Sequence, residues 1–535
     1  MERNIKKLIA LVLSISLVLG LMATSVSAEE TDETITTTAV SDEVTTTESS
    51  AEETTAATGD SESDRALDDT SPFRISVAVN GDPSTQKGIT WYTKTETGSV
   101  VNIVDENGAA VNVQVTYDEV FEFEGNYVHK ALVTGLEPSK TYHYEVGNGT
   151  AFSAYGTFVT DNDDSKFDFI AIADIQAGSY ENFKKGADTV NAAFSKMPSA
   201  EFMVNLGDFT NDSTNEEWDA YDRAMWYINN QTTIVPVAGN HDGLGVWDWF
   251  NNMFNLNTGE SVQNLNGVNY SFDYGNAHFA VLNTNDLLSV SFAQLQWLKN
   301  DMNSTDKDWK IVLMHKSPYT LGKDGKWPDA LYLQSSLTKV LDACDVDLVM
   351  SGHDHQYLRT KAIKNGRVNS EGTVYVLAGT AGTKRYEVRS FLANHFMDTD
   401  LIDALVIQKN GYGNYWDGQD WDQTNQAYIG GCFNTISIDG GTLTFNSYIL
   451  ADRGEDEAED SERIITKSDS FTLTKQVGQN KATFTGDNTT SEIEYYLGVV
   501  PSFLGLAAYA LGNWLPRFLF MLPDLLGVVI NEGTF

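Results

Sequence analysis

Five apolar runs between residues 167 and 355 each end in side chains that hold cations or move protons: FDFIAIADIQ (167–176), EFMVNLGDFTND (201–212), TTIVPVAGNHD (232–242), WKIVLMHKSP (309–318) and VDLVMSGHDH (346–355). Helix-like stretches such as NFKKGADTVNAAFSKM, EEWDAYDRAMWYINN and LYLQSSLTKVLDA lie between them. Short apolar runs read as strands buried on both faces, and strands alternating with helices predict a layered α/β domain. Sites in such domains gather at the carboxyl ends of the strands, so the five polar termini are expected to converge.

What would converge is a metal-binding set. Asp174, Gln176, Asp208, Asn240, His315, His353 and His355 offer oxygen and imidazole donors, more than one cation can use. In SGHDHQY the two imidazoles are two residues apart, which in extended chain puts them on one side and Asp354 on the other. A carboxylate such as Asp208 can bridge two cations about 3.5 to 4 Å apart, a pair that polarises a phosphoryl oxygen and generates hydroxide near neutral pH. The donor mix suits Mn, Fe, Zn or Co, and the lack of thiolates argues against a structural zinc site. Singly, each residue has an ordinary explanation: Asp174 or Asp208 as a helix cap, Asn240 in a turn, His315 as a core histidine. Five in this order, each closing an apolar run, outweigh those explanations.

The flanking segments point to a multidomain, exported chain of 535 residues. Residues 1–28 carry Arg3, Lys6 and Lys7, an apolar run from Leu8 to Ala23, and TSVSA, the form of a secretory signal. Residues 29–72 are an acidic Thr/Ser-rich spacer with almost nothing apolar to bury. From 73 to 162 come about seven short alternating runs, including FRISVAV, GITWYTK and TYHYEV, which predict a β-sandwich of fibronectin III or immunoglobulin type, with Tyr142 placed for a corner hydrogen bond. The catalytic domain is expected over 165–452. In it, Tyr412, Trp416 and Trp421 mark an aromatic insertion that either walls a pocket or packs on itself. A C-terminal extension, 453–535, ends in a tail without charge from Tyr495 to Pro516, either a membrane or cell-surface contact or an apolar flap. Cys344 and Cys432 are too few for a disulfide scaffold and read as buried thiols. A net charge of -40 argues against nucleic acid as a partner, and any phosphate-bearing substrate needs a local cationic centre.

D-x-Q, GD-x-x-N, GNHD, an apolar run ending in His, and GHDH together resemble the calcineurin-like metallophosphoesterases. The sandwich, with YSFDYGNAHFAVLNT (270–284), GHDHQYLRT (352–360) and GTVYVLAGTAGTK (372–384), makes the likeness one to the purple-acid-phosphatase branch over roughly residues 73 to 450. That resemblance implies a β-sandwich ahead of a four-layer αββα domain, a dinuclear centre of two divalent transition metals (Fe, Mn or Zn) and hydrolysis of phosphate esters. It also implies one metal on Asp174, Gln176, Asp208 and His355, and the other on Asp208, Asn240, His315 and His353. His241 is then left for leaving-group protonation and phosphate contact, with Asp242 to orient and charge it, the alternative being a structural histidine behind the ligands. Gln176 stands where many relatives have His, and Asn211 where purple enzymes carry an iron-binding Tyr, so Asn211 becomes a substrate-side residue and the centre is expected not to be purple.

Three functions fit these residues: a secreted phosphomonoesterase acting on small phosphate esters, a phosphodiesterase or nucleotide pyrophosphatase on the same site, and a cell-surface binding protein with an idle metal domain. The acidic surface favours the first, because it disfavours polyanions while metals attract a single phosphate.

Overall fold

A computed structural model describes residues 70–162, 164–243, 247–259, 268–285, 292–322, 328–384, 399–409, 412–416, 421–428, 431–451, 463–478 and 483–484. The signal, most of the acidic spacer, the RGEDEAEDSE patch and the apolar tail lie outside these residues, as do the side chains of Tyr412, Trp416 and Trp421.

Two large sheets stack face to face between two layers of helices. In the first, Lys166–Ile172, Phe202–Asn205 and Thr233–Pro236 run parallel and adjacent. In the second, Ala277–Leu282, Trp309–Met314, Leu348–Ser351 and Val374–Ala378 do the same. Alternation along a strand explains the layering: Phe167, Phe169 and Ala171 enter the core between the sheets, while Ile170 and Ile172 face Val190, Trp218 and Met225 of the helices Tyr180–Lys196 and Asn215–Gln231. On the far side, Val312 and Val349 pack against Leu298 of Phe292–Ser304 and Leu337 of Pro328–Ala343. Three cores separated by two sheets make the αββα arrangement.

The N-terminal region is β-rich as read from sequence, with a three-stranded sheet (Val100–Asp105, Thr141–Gly147, Gly156–Val159) packed over strands that include Gln86–Thr93 and Asn126–Thr134. The Glu137 N–H donates to the Tyr142 hydroxyl at 2.9 Å. One feature departs from two separate sheets: Phe73–Ala78 pairs in parallel with Thr233–Pro236, so a sandwich sheet continues into the first catalytic sheet. Arg74 fastens this seam. Fully buried, it donates to the Asn215 carbonyl at 2.8 Å, pairs with Asp219 at 2.6 Å, and lies 5.2 Å from the Trp249 ring. Cys344 and Cys432 are buried and unpaired, as expected, and Tyr412–Trp416 and Trp421–Tyr428 form a hairpin that extends the second sheet.

Candidate metal centre

Every predicted donor leaves the carboxyl end of a parallel strand. Asp174 and Gln176 follow Lys166–Ile172, Asp208 follows Phe202–Asn205, and Asn240 follows Thr233–Pro236; His315 follows Trp309–Met314, and His353 and His355 follow Leu348–Ser351. The connecting loops are laced together: the Asp174 N–H donates to Gly207 O at 3.0 Å, the Gln176 N–H to Asp208 O at 2.9 Å, and the Gly352 N–H to His315 O at 2.8 Å. Two glycines permit that closeness. A Cβ on Gly239 would sit 2.2 Å from Asp208 Oδ1, and one on Gly207, at φ +99°, would sit 2.7 Å from His315 Nδ1.

Backbone strain concentrates here. Asp174, Gln176, Asp208, His353 and His355 have φ between 35° and 81°, a left-handed region that costs roughly 1 to 3 kcal/mol per non-glycine residue and persists where a site over-determines it. This corrects the account of the paired histidines. The strand stops at Ser351, so left-handed turns, not strand alternation, bring both imidazoles inward. Asp354 does point elsewhere, accepting from the Thr320 hydroxyl.

The ligating atoms of Asp208, His315 and His353 lie within 4.8 Å of one another, and so do those of Asp174, Asp208 and His355. Asp208 belongs to both groups. His315 Nδ1 donates to the Leu206 carbonyl at 2.8 Å and His355 Nδ1 to the Lys384 carbonyl at 2.9 Å, which turns both Nε2 atoms toward the centre. His315 Nε2 then faces Asp208 Oδ2 at 3.1 Å and Asn240 Oδ1 at 3.2 Å. Three lone-pair atoms aimed at one point require a cation, either a proton or a metal ion. Gln176 is 1% exposed, yet among the described residues neither Oε1 nor Nε2 has a hydrogen-bond partner. A buried carboxamide in that state costs stability unless something takes up its oxygen. The residues present therefore fit a pair of oxygen- and nitrogen-liking divalent ions.

Charge distribution agrees. Burial drives Asp174 well above the usual carboxylate range, His315 offsetting only part of it. Burial works the same way on Asp208, but His315, His241 and His353 around it win and hold it below that range. His315 is held up to about 9 against its burial, chiefly by Asp208, whereas burial takes His355 down to about 3 and His353 well below the imidazole range. Two neutral imidazoles stand ready as donors, and a metal held here would displace a proton from His315.

Asp242 does not take the role read for it. Its carboxylate accepts the backbone N–H groups of Asp208 (2.8 Å), Phe209 (2.7 Å) and Gly239 (2.7 Å), because the two tight loops would otherwise bury three unpaired donors. The His241 ring is oriented instead by the Asn211 carbonyl, which accepts from Nδ1, while the His241 N–H donates to Asp208 Oδ1 at 2.9 Å. Asn211 lies beside the centre with its carboxamide held at both ends: Oδ1 accepts from Lys384 Nζ, and Nδ2 donates to Asp212 at 2.7 Å. Lys384 and Thr380, whose hydroxyl donates to Asp174 O at 2.7 Å, were not singled out from sequence. Both sit in GTAGTK, a segment the sequence marks only through its part in the family resemblance.

Two family models match the chain: the calcineurin-like phosphoesterase over residues 167–357 and the purple acid phosphatase N-terminal domain over residues 72–160. Purple acid phosphatase 23 of Arabidopsis thaliana is 24% identical over 339 residues, 56% of this chain and 72% of the relative. Fe(3+)-Zn(2+) purple acid phosphatase 12 of the same plant is 22% identical over 314 residues, 55% of this chain and 66% of the relative. A purple acid phosphatase from yellow lupin (Lupinus luteus) seeds superimposes with a TM-score of 0.56 at 18% identity, covering 76% of this chain and 75% of that one, a likeness of fold.

Proposed function

We propose that this chain, a metal-dependent phosphoric ester hydrolase with a calcineurin-like phosphoesterase domain behind a purple acid phosphatase N-terminal domain, acts on small phosphate monoesters at a dinuclear centre. The observation that carries the reading is the membership of Asp208 in both groups of donors. One metal is assigned to Asp174, Gln176, Asp208 and His355, the other to Asp208, Asn240, His315 and His353. When bound, two divalent ions polarise the phosphoryl group and activate water for in-line attack. The chain's own residues do the rest. Asp174 and Asp208 would hold the cations against which the phosphate sits, and the Leu206 and Lys384 carbonyls keep His315 and His355 in the ligating tautomer. His241, with Nδ1 held by Asn211, presents Nε2 to protonate the departing alcohol.

Export is read from residues 1–28, and surface or membrane contact from the apolar sequence 495–516. Among the described residues no helix is long and apolar enough to cross a membrane. The test of the activity is direct: p-nitrophenyl phosphate should be turned over faster than bis(p-nitrophenyl) phosphate, and a chelator should abolish both reactions. Diester preference would move the chain to the phosphodiesterase reading, and chelator-insensitive or absent turnover would defeat the hydrolytic one.

Colour gives a second check. Asn211 has no phenolate to donate charge into ferric iron, and its oxygen is turned to Lys384. The active, metal-loaded protein should therefore show no strong visible band. A purple band would mean that a tyrosine reaches the metal and that the assignment at Asn211 is wrong.

A further inference from the structure

The strand Ala277–Leu282 lies parallel to Trp309–Met314 with Leu282 beside Met314, so the polar turn of Asn283, Thr284 and Asn285 leaves the second sheet next to His315. All three residues are buried. The Asn285 carboxamide spends both N–H groups, one on the Ala238 carbonyl and one on Asn283 Oδ1, each at 2.8 Å. Asn283 is itself fixed by Gln294, whose Oε1 accepts its N–H and whose Nε2 donates to its carbonyl, both at 2.9 Å. The Thr284 hydroxyl accepts the Lys316 N–H at 2.9 Å and donates to the Lys316 carbonyl at 3.3 Å. One turn therefore grips the peptide two residues before Asn240 and the residue after His315, two side chains that face each other at 3.2 Å. The other donors rest on different supports: Thr380 holds the Asp174 carbonyl, the Lys384 carbonyl orients His355, and Asp242 holds the Asp208 N–H.

We propose that Thr284 and Asn285 are positioning residues for one metal ion alone, the ion assigned to Asn240, His315 and His353 together with Asp208. The two ions then have separate scaffolds, and one can be loosened while the other stays. The Ala238 carbonyl belongs to a buried residue, so without the Asn285 donor it is left unpaired and its peptide turns to find another partner. There is no slack to absorb that turn, since the next residue, Gly239, already lies against Asp208. Asn240 is carried out of line with His315 Nε2, and loss of the Thr284 hydroxyl does the same from the His315 side. Supports behind metal ligands of this kind are worth roughly tenfold to hundredfold in affinity.

This rests on the ligand assignment above, and the experiment separates the two. Chelator-stripped protein is titrated with Mn(II) in equilibrium dialysis. N285D keeps the shape of the side chain but can only accept, and it should bind one ion as the unaltered protein does and the other roughly tenfold to hundredfold more weakly. T284V should do the same and T284S should restore the affinity, which covers the case in which N285D does not fold. The site affected is identified in two backgrounds. With His355→Ala removing a ligand of the other ion, N285D should weaken the remaining ion by that factor; with His315→Ala it should change the remaining affinity by less than about threefold, as for an independent site. Equal losses in both backgrounds, or loss in neither, would overturn the proposal. If the unaltered protein binds fewer than two ions, the two-metal assignment fails, and amide exchange in the metal-free protein still decides the role of the turn. N285D should then speed exchange over residues 238–242 and leave residues 174–176 unchanged, an equal effect on the two segments, or none on either, refuting separate supports.

Discussion

Asp208→Ala should strip the protein of both metal ions together. Elemental analysis is expected to read close to two ions per chain before the substitution and near zero after it. Turnover of p-nitrophenyl phosphate should drop by roughly a thousandfold or more, since Lewis-acid stabilisation is worth several kcal/mol and each 1.36 kcal/mol is tenfold. The reason is geometric: among the described residues Asp208 is the one that belongs to both groups of donors, its carboxylate within 4.8 Å of the other ligating atoms. Its buried Oδ2 faces His315 Nε2 at 3.1 Å and has no other hydrogen-bond partner among the described residues, which leaves that oxygen for a cation. The substitution also removes the acceptor of the His241 N–H, so Asp208→Asn serves as the companion variant, keeping the shape and that contact while losing the charge. Loss of one ion with retention of the other would end the shared-carboxylate assignment, and full metal with full activity would end the two-metal reading.

The strands were legible because they are buried on both faces. Phe167, Phe169 and Ala171 serve one core and Ile170 and Ile172 another, so the run reads as continuously apolar, and its end is marked by the first polar residues. The same rule picks out the seven candidate donors, since the topology brings strand ends together whatever the exact pairing. What stayed hidden depends on contacts between distant segments. The parallel pairing of Phe73–Ala78 with Thr233–Pro236 leaves no trace in either segment's pattern. Arg74 lies in the seam against Trp249 and Asp219, a burial that the FRISVAV run does not announce. Asp242 was read beside its neighbour His241, but a carboxylate surrounded by unpaired backbone N–H groups of two loops is drawn to them first. Lys384 gave no sign because a lysine in a loop is ordinary until the loop is known to cross Asp174 and Ile175.

His241→Ala should keep its metals and lose turnover in proportion to how poor the leaving group is. The Asn211 carbonyl can only accept, so Nδ1 carries a proton, and Nε2 is the edge left to face a leaving oxygen. Protonation of the leaving oxygen matters most for alkyl phosphates, whose alkoxides depart badly, and least for p-nitrophenolate. The variant should lose roughly a hundredfold to ten-thousandfold on alkyl phosphates, the usual worth of general acid catalysis, and no more than about tenfold on p-nitrophenyl phosphate. Plotted against leaving-group acidity, log kcat/KM should therefore steepen in the variant. The metals should remain, because the link from residue 241 to Asp208 runs through a backbone N–H that alanine retains. A uniform loss across leaving groups would make the imidazole a phosphate-binding group and not a proton donor. Loss of metal would return it to the ligand set, in which case Asn240, whose oxygen faces His315 Nε2 at 3.2 Å, would have to give up its place.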